Sequence, residues 1–169
     1  MRDEGGSGAM RCFCMFWTTL LLFAALSSAA AEDMGGFRGF AWGSSEKEML
    51  SAEPKLVEGH MGVMPGVKAY QRTDEDLNFG GIKTESIIYT FYNGRFSSVS
   101  IDFRGFDNNE KLLAYCKKLF GPVTASAVLR LESYVSFDSP KTGAMLLYQM
   151  SMQTTNYGRL YLYSKEFQE

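Results

Sequence analysis

The sequence predicts an α+β fold, in which an antiparallel sheet of about six strands carries two helices on one face. Three observations lead to this prediction. Apolar and polar residues alternate over several segments, two segments show helical spacing of apolar residues, and turn-forming residues separate the segments. We expect residues 32–169 to form a single α+β domain, because a chain of this length buries enough apolar surface for one core.

The N-terminal segment, residues 1–31, has the pattern of a secretory signal peptide. Residues 12–26 are almost wholly apolar, and the small side chains of residues 27–31 suit cleavage. The alternative is an uncleaved anchor, since residues 12–31 are close to the ~20 residues that cross a bilayer. We expect a periplasmic or secreted protein that meets the membrane only through this segment, if the segment is retained.

Charge and cysteine content narrow the function classes. The net charge is −2, and residues 1–31 hold two basic and two acidic residues, so the remaining chain is equally close to neutral. No basic patch for nucleic acid is expected. Cys116 is the only cysteine after residue 31, so the domain has no intramolecular disulfide, which favours a bacterial periplasm or envelope over eukaryotic secretion.

The first predicted helix begins at a capping box. Ser45 and Glu48 have the Ser-x-x-Glu spacing in which each side chain binds the backbone amide of the other. Pro54 disfavours helix in the residue before it, so the helix should end by Glu53. Residues 55–66 contain Gly and Pro and are predicted to be a loop, and alternation predicts a strand over Val67–Arg72.

A β-hairpin is predicted over residues 84–103, around Asn93-Gly94. The apolar residues of both arms have odd numbers, so they share one face only if the loop has an odd number of residues. This predicts a three-residue loop with Gly94 in the left-handed bulge position. The solvent face should then carry Thr90, Ser98, Ser100 and Asp102.

The second half repeats this order. Asp107 to Glu110 resembles a second capping box, and a helical stripe of apolar residues ends at Gly121-Pro122. Three strands are predicted at about residues 129–137, 144–152 and 159–164. The order suggests a duplicated helix-strand-strand-strand unit, although the short match between residues 87–91 and 146–150 could also arise from alternation alone.

Three segments carry a resemblance to a known family. They are the opening Phe37-Arg38-Gly39-Phe40-Ala41-Trp42-Gly43-Ser44, the Tyr-x-Phe-Tyr-Asn-Gly-Arg-Phe segment and the helix end Phe120-Gly121-Pro122. Together they resemble a family of small exported bacterial proteins, a resemblance that implies export but no particular activity. The predicted order of helices and strands is also loosely similar to that of helix-plus-three-strand periplasmic modules of the beta-lactamase-inhibitor and outer-membrane-assembly lipoprotein type. These modules bind proteins. Fold alone does not fix function.

The sequence offers little for catalysis. His60 is the only histidine and lies in a Gly-flanked loop, without the base and orienting group that a nucleophilic site needs. Cys116 falls on the apolar stripe of the second helix, where a thiol is usually buried and inert. We predict no catalytic residue and no cofactor.

One acidic segment imitates a calcium loop. Asp74, Asp76, Asn78 and Glu85 stand at positions 1, 3, 5 and 12 of the EF-hand pattern, but position 6, which requires Gly, is Phe79. The segments on either side of this loop are also predicted to be strands, not helices. The alternative hypothesis is therefore a calcium-dependent or carboxylate-based protein that binds or hydrolyses a ligand.

Exposed aromatic residues favour the leading hypothesis. Tyr92 and Phe96 fall on the predicted solvent face of the hairpin, and Tyr161 and Tyr163 alternate with leucines in the last strand. Aromatic residues are enriched at protein interfaces. We predict a binding surface at these four residues and a non-enzymatic exported module that binds a protein partner of the envelope.

Overall fold

A computed structural model describes residues 34–59, 64–151 and 156–167. The predicted signal segment, residues 1–31, and His60 lie outside the described residues. Within the described ranges, no helix combines the length and the apolar character that a membrane crossing requires.

Two α-helices and a large sheet dominate the described residues. The helices are α1 (Glu46–Ala52) and α2 (Phe106–Phe120), and a 3-10 helix spans Lys165–Phe167. The strands are β1 (Gly36–Phe37), β2 (Phe40–Ala41), β3 (Leu56–Gly59), β4 (Val67–Arg72), β5 (Asn78–Phe79), β6 (Ile82–Lys83), β7 (Ser86–Tyr92), β8 (Arg95–Arg104), β9 (Ala125–Leu129), β10 (Glu132–Asp138), β11 (Thr142–Gln149) and β12 (Tyr157–Ser164). The main sheet has the order β3-β4-β7-β8-β12-β11-β10-β9, and all its pairs are antiparallel.

The α+β class and the antiparallel sheet are confirmed, but the predicted number of about six strands is wrong. The main sheet has eight strands. One of the additional strands is β3, which lies inside the predicted loop at residues 55–66. Another is β9, most of which precedes the predicted strand at residues 129–137; that strand corresponds to β10, and a turn at Arg130 separates the two. Arg130 has φ 53°, a left-handed conformation that alternation does not reveal in a residue other than Gly.

The prediction that the odd-numbered apolar residues of the hairpin share a face is confirmed. Tyr89 pairs with Val99, and all six of these residues are buried: Ile87, Tyr89, Phe91, Val99, Ile101 and Phe103. The predicted solvent exposure of Thr90, Ser98, Ser100 and Asp102 on the other face is wrong, because all four are buried and three of them pair with β12. The predicted three-residue loop is wrong. Asn93 and Gly94 form a two-residue turn in which both have positive φ, 49° and 74°, as a type I′ turn requires.

A β-bulge supplies the odd residue that the alternation of apolar residues requires. The register shifts between Thr90 and Phe91, because Thr90 pairs with Ser98 whereas Phe91 pairs with Phe96, and this leaves Ser97 as the extra residue. The bulge turns Phe96 toward the same face as Phe91. The predicted solvent exposure of Phe96 is therefore wrong, and the residue is fully buried.

Both helices contribute to a single hydrophobic core. Met49 of α1 is buried in the same cluster as the α2 residues Leu112, Cys116 and Phe120. The ring of Phe120 lies 6.3 Å from that of Phe137 in β10. We call the sheet face that packs into this cluster the core face.

The ends of the two helices differ from each other. The predicted capping box of α1 is confirmed: Ser45 Oγ accepts from the Glu48 amide (3.2 Å), and Glu48 Oε2 accepts from the Ser45 amide (3.1 Å). The second predicted capping box is wrong. Gly105 is the N-cap of α2, and no side chain caps that end.

Replacing Ser45 by Ala is expected to lower the free energy of unfolding by about 1 kcal/mol, because the Glu48 amide loses its acceptor. Urea unfolding followed by circular dichroism measures the change as a lower midpoint at constant slope. Ser51→Ala is the matched control in the same helix. The Ser51 hydroxyl only donates to the Lys47 carbonyl (2.8 Å), and Ala is the better helix former. Equal losses in the two variants would contradict a capping role for Ser45.

The opening motif ties the N-terminal hairpin to the main sheet. Phe37 is buried, and its ring meets that of Tyr89 edge-on at 5.8 Å. Arg38 forms an ion pair with Glu75, which also accepts from the Tyr89 hydroxyl (2.8 Å). Trp42 Nε1 donates to Thr142 Oγ1 (2.8 Å). These residues therefore have structural roles here, independent of any family resemblance.

The strand order of the main sheet is mirrored about its centre. Strands β3, β4, β7 and β8 follow α1, strands β9 to β12 follow α2, and the last strand of each half pairs with the other. The sequence shift that carries Tyr89 onto Tyr148 also carries Val99 onto Gly158, and both Tyr89–Val99 and Tyr148–Gly158 are paired in register. Each half is thus a helix followed by four strands in the main sheet, not the predicted three.

Candidate binding face

The face of the main sheet opposite the core face carries a row of large polar and aromatic side chains on the central strand β12. They are Tyr157, Arg159, Tyr161 and Tyr163, which alternate with residues of the core face and stay partly exposed. The neighbouring strand β11 adds Met145 opposite Tyr161, and Leu147, 39% exposed, opposite Arg159. We call these six residues the tyrosine face.

A buried carboxylate organises one end of the tyrosine face. Asp102 of β8 lies directly opposite Arg159. Arg159 donates from Nε (2.6 Å) and Nη2 (3.1 Å) to its two oxygens. The Tyr157 hydroxyl donates to the same carboxylate, and so does that of Ser86 (2.8 Å). Every donor that reaches Asp102 thus stabilises its charged form.

The pKa values of this cluster follow from these contacts. Burial alone would raise the pKa of Asp102, but the hydrogen bonds from Arg159, Tyr157 and Ser86 outweigh it and hold the pKa below its usual value. Burial, followed by the hydrogen bond to Asp102, raises the pKa of Tyr157 to about 12. The bond to Asp102 raises the pKa of Arg159. At neutral pH the cluster is a charged ion pair with a neutral phenol beside it.

The other end of the tyrosine face is held by small residues. The Tyr161 hydroxyl donates to Ser98 Oγ (3.0 Å), and the rings of Tyr161 and Tyr163 lie 5.6 Å apart. Tyr163 lies across Gly143, where an added Cβ would come within 2.3 Å of the tyrosine ring. A glycine at this position therefore allows the Tyr163 ring to lie flat against the sheet.

The structure brings together two of the four predicted binding residues. Tyr161 and Tyr163 are neighbours on the tyrosine face. Tyr92 is 37% exposed on the side of the hairpin away from the core. It lies at the hairpin turn, opposite Arg95. Phe96 belongs to the core and cannot contact a partner.

Ion pairs occupy two of the four residues of the predicted calcium loop. Asp74 binds Lys55 (2.5 Å) and Arg72, and the bond from Lys55 lowers its pKa. Glu85 binds Arg104 (2.6 Å).

The other two calcium-loop residues bind each other. Asp76 accepts from the backbone amide (3.0 Å) and the side chain (2.8 Å) of Asn78. Among the described residues, no three His, Cys, Asp or Glu side chains are grouped as metal ligands. The calcium hypothesis therefore gains no support from the geometry.

Neither Cys116 nor Ser86 has a strong base beside it in the described chain. Cys116 is buried on α2 as predicted, and burial raises the pKa of its thiol to about 12. The Ser86 hydroxyl does reach a carboxylate, but Asp102 has a lowered pKa and is also bound by Arg159 and Tyr157, which makes it a weak base.

A small pocket lies beside the tyrosine face. It measures about 200 Å³ and is lined by Glu132, Ser133, Leu147, Tyr148, Gln149, Tyr157 and Arg159. Pockets that enclose a small-molecule substrate usually measure roughly 300–1,000 Å³. The pocket beside Tyr157 and Arg159 is smaller than this range.

Comparisons with known proteins add no further constraint. Searches of protein-family models, of curated proteins and of solved structures found no match for this chain. The resemblance to a family of exported bacterial proteins therefore stays a prediction.

Sequence reasoning missed part of the tyrosine face. Tyr157 and Arg159 continue the same alternation as Tyr161 and Tyr163, so a longer predicted strand would have included them. The role of Asp102 could not be found in this way. It stands 57 residues from Arg159, and only the pairing of β8 with β12 brings the two together.

Proposed function

We propose that this chain is an exported protein of the periplasm or envelope and that its tyrosine face binds a protein partner. The observation that carries the proposal is the row of Tyr157, Arg159, Tyr161 and Tyr163, partly exposed on a central strand of the sheet. The pattern of residues 1–31 supports export.

The composition of this row matches that of interface hot spots. Tyrosine and arginine are among the residues whose truncation most often costs more than about 2 kcal/mol of binding energy. Met145 and Leu147 extend the row with apolar surface on the adjacent strand. A partner would thus meet aromatic and aliphatic side chains around one guanidinium, and aromatic residues, Met and Arg are enriched at protein interfaces.

The side chains of the row are already fixed before any partner arrives. Hydrogen bonds hold Arg159 and Tyr157 to Asp102 and hold Tyr161 to Ser98. The guanidinium of Arg159 lies 5.9 Å from the centre of the Tyr157 ring. Binding then costs little side-chain entropy, of which each ordered side chain otherwise consumes about 0.5–1.5 kcal/mol.

The mirrored strand order supports the hypothesis that the fold arose by duplication of a unit of one helix and four strands. The common shift that relates Tyr89–Val99 to Tyr148–Gly158 favours this origin over chance alternation. Two such units side by side present one continuous sheet surface to a partner.

Site-specific photo-crosslinking in intact cells tests the proposed function. A photoreactive phenylalanine analogue replaces Tyr161, and we expect a discrete adduct with an envelope protein. Tyr163→Ala in the same chain should reduce the adduct severalfold, because hot-spot residues act together at the centre of an interface.

The matched control places the same analogue at Phe106. This aromatic residue of α2 is 56% exposed, and its ring contacts Tyr148, a residue of the core cluster, instead of the tyrosine face. Position 106 should give no specific adduct. Equal labelling from positions 106 and 161, or none from 161 across several growth conditions, would refute the proposed face.

A further inference from the structure

One edge of the main sheet is an uncharged and exposed strand. The edge strand β9 reads Ala-Ser-Ala-Val-Leu, and Val128 and Leu129 are 72% and 65% exposed. Natural proteins usually protect a sheet edge with charge, Pro or a short strand, since unpaired backbone groups recruit other strands. The opposite edge, β3, has such protection. It has four residues, including Glu58, and Pro54 and Lys55 precede it.

Exposed apolar surface is concentrated at the same edge. Ten large hydrophobic side chains are exposed among the described residues, and half of them lie on or beside β9: Val123, Val128, Leu129, Leu131 and Met150. The Met150 amide donates to the Leu131 carbonyl (2.7 Å), which places both residues at the β9–β10 turn. Clustering of this kind indicates an interaction site.

We propose that β9 pairs antiparallel with β9 of a second copy of this chain, with the two-fold axis at Ala127. This pairing is independent of the tyrosine face. It sets Leu129 opposite Ala125 of the second copy and Val128 opposite Ser126, so each large side chain meets a small one. A two-fold axis makes both contacts occur twice.

The backbone direction of β9 agrees with this register. The bond between Met150 and Leu131 continues the β10–β11 ladder, so odd-numbered residues of β10 bind β11 and even-numbered residues bind β9. Through the β9–β10 register, Ser126 and Val128 then direct their amides and carbonyls toward the open edge. These two residues are the ones that the two-fold axis at Ala127 places opposite each other.

Charge repulsion does not oppose this pairing. The pairing sets Arg130 opposite Thr124 of the second copy and separates the two Arg130 side chains by about 20 Å along the strands, well beyond the range of strong repulsion.

Cysteine crosslinking tests the register. In a chain with Cys12 and Cys14 replaced by Ser, Ala127→Cys should form a disulfide-linked dimer under mild oxidation, since a non-hydrogen-bonded pair on the axis has Cα atoms ~4.5 Å apart. Ser126→Cys is the matched control. Its two copies would lie about 8 Å apart, beyond the ~7 Å limit for a disulfide, so we expect little crosslink.

Sedimentation velocity tests the dimer itself. We expect the purified chain to sediment as a dimer and Val128→Lys to sediment as a monomer with unchanged circular dichroism. Val57→Lys, the same change at an exposed valine of the opposite edge, should remain dimeric. A monomeric parent chain, or a dimer that survives Val128→Lys, would overturn the proposal, as would equal crosslinking at positions 126 and 127.

Discussion

Replacing Phe96 by Ala is expected to lower the free energy of unfolding by about 3–5 kcal/mol, the usual cost of deleting a buried aromatic ring. Phe96 is fully buried, and its ring centre lies 4.9 Å from that of Trp42, 5.6 Å from that of Phe91 and 6.1 Å from that of Tyr89. The variant loses contacts on every side, because the surrounding aromatic residues are themselves held in place. Urea unfolding followed by tryptophan fluorescence measures the loss.

Tyr92→Ala is the matched control for Phe96→Ala. It removes an aromatic ring from the same hairpin at a position that is 37% exposed, so the loss should be about 1 kcal/mol or less. Phe96→Leu provides a milder change if the alanine variant fails to fold, and we expect it to cost roughly 1–2 kcal/mol. Equal losses from Phe96→Ala and Tyr92→Ala would mean that Phe96 lies at the surface, as the sequence alone suggests.

Phe96 shows why the sequence predicts most of the hairpin but not all of it. A three-residue loop and a two-residue turn followed by a bulge both place Val99, Ile101 and Phe103 on the core face. The two solutions differ only next to the turn, where Phe96 faces either Tyr92 or Phe91. Alternation of the distant residues cannot decide between them, because the bulge leaves their parity unchanged.

The helices show a similar limit. The Ser45–Glu48 box predicts the start of α1 because both partners stand within one turn, and Pro54 predicts its end. A similar pattern at the start of α2 misleads, because Gly105 already takes the N-cap position with φ 89°, so the helix begins before the predicted cap can act. A capping pattern therefore predicts the start of a helix only where no earlier residue, such as Gly105 after β8, can begin the helix first.

The sequence likewise predicts one part of the candidate site and not the other. Alternation places Tyr161 and Tyr163 on one face without any structure. Which strands flank β12 depends on the mirrored arrangement of the two halves, and this arrangement brings Asp102 and Met145 to either side of the tyrosines. The sequence therefore predicts the aromatic residues of the site but not the carboxylate that fixes them.

Replacing Asp102 by Asn is expected to lower the free energy of unfolding by about 2–3 kcal/mol. Breaking a fully buried ion pair costs about 3–5 kcal/mol, and we reduce that figure because the Arg159 side chain is 35% exposed, whereas that of Asp102 is 12% exposed. The double variant Asp102→Asn with Arg159→Met should cost less than the sum of the single variants, because it removes the unpaired charge. Glu85→Gln, which breaks the exposed pair with Arg104, is the control and should cost about 0.5 kcal/mol or less.

The cost of Asp102→Asn should also depend on pH. The folded-state pKa of Asp102 is lowered, so its charge contributes stability above the unfolded-state pKa of about 3.9, and this contribution disappears as the pH falls through the folded-state value. The difference between parent chain and variant should be constant from about pH 7 to pH 5 and should shrink below about pH 4. Urea midpoints measured across this range give the profile. A difference that is unchanged down to pH 2, or one that grows as the pH falls, would show that Asp102 does not act through its charge on Arg159 and Tyr157.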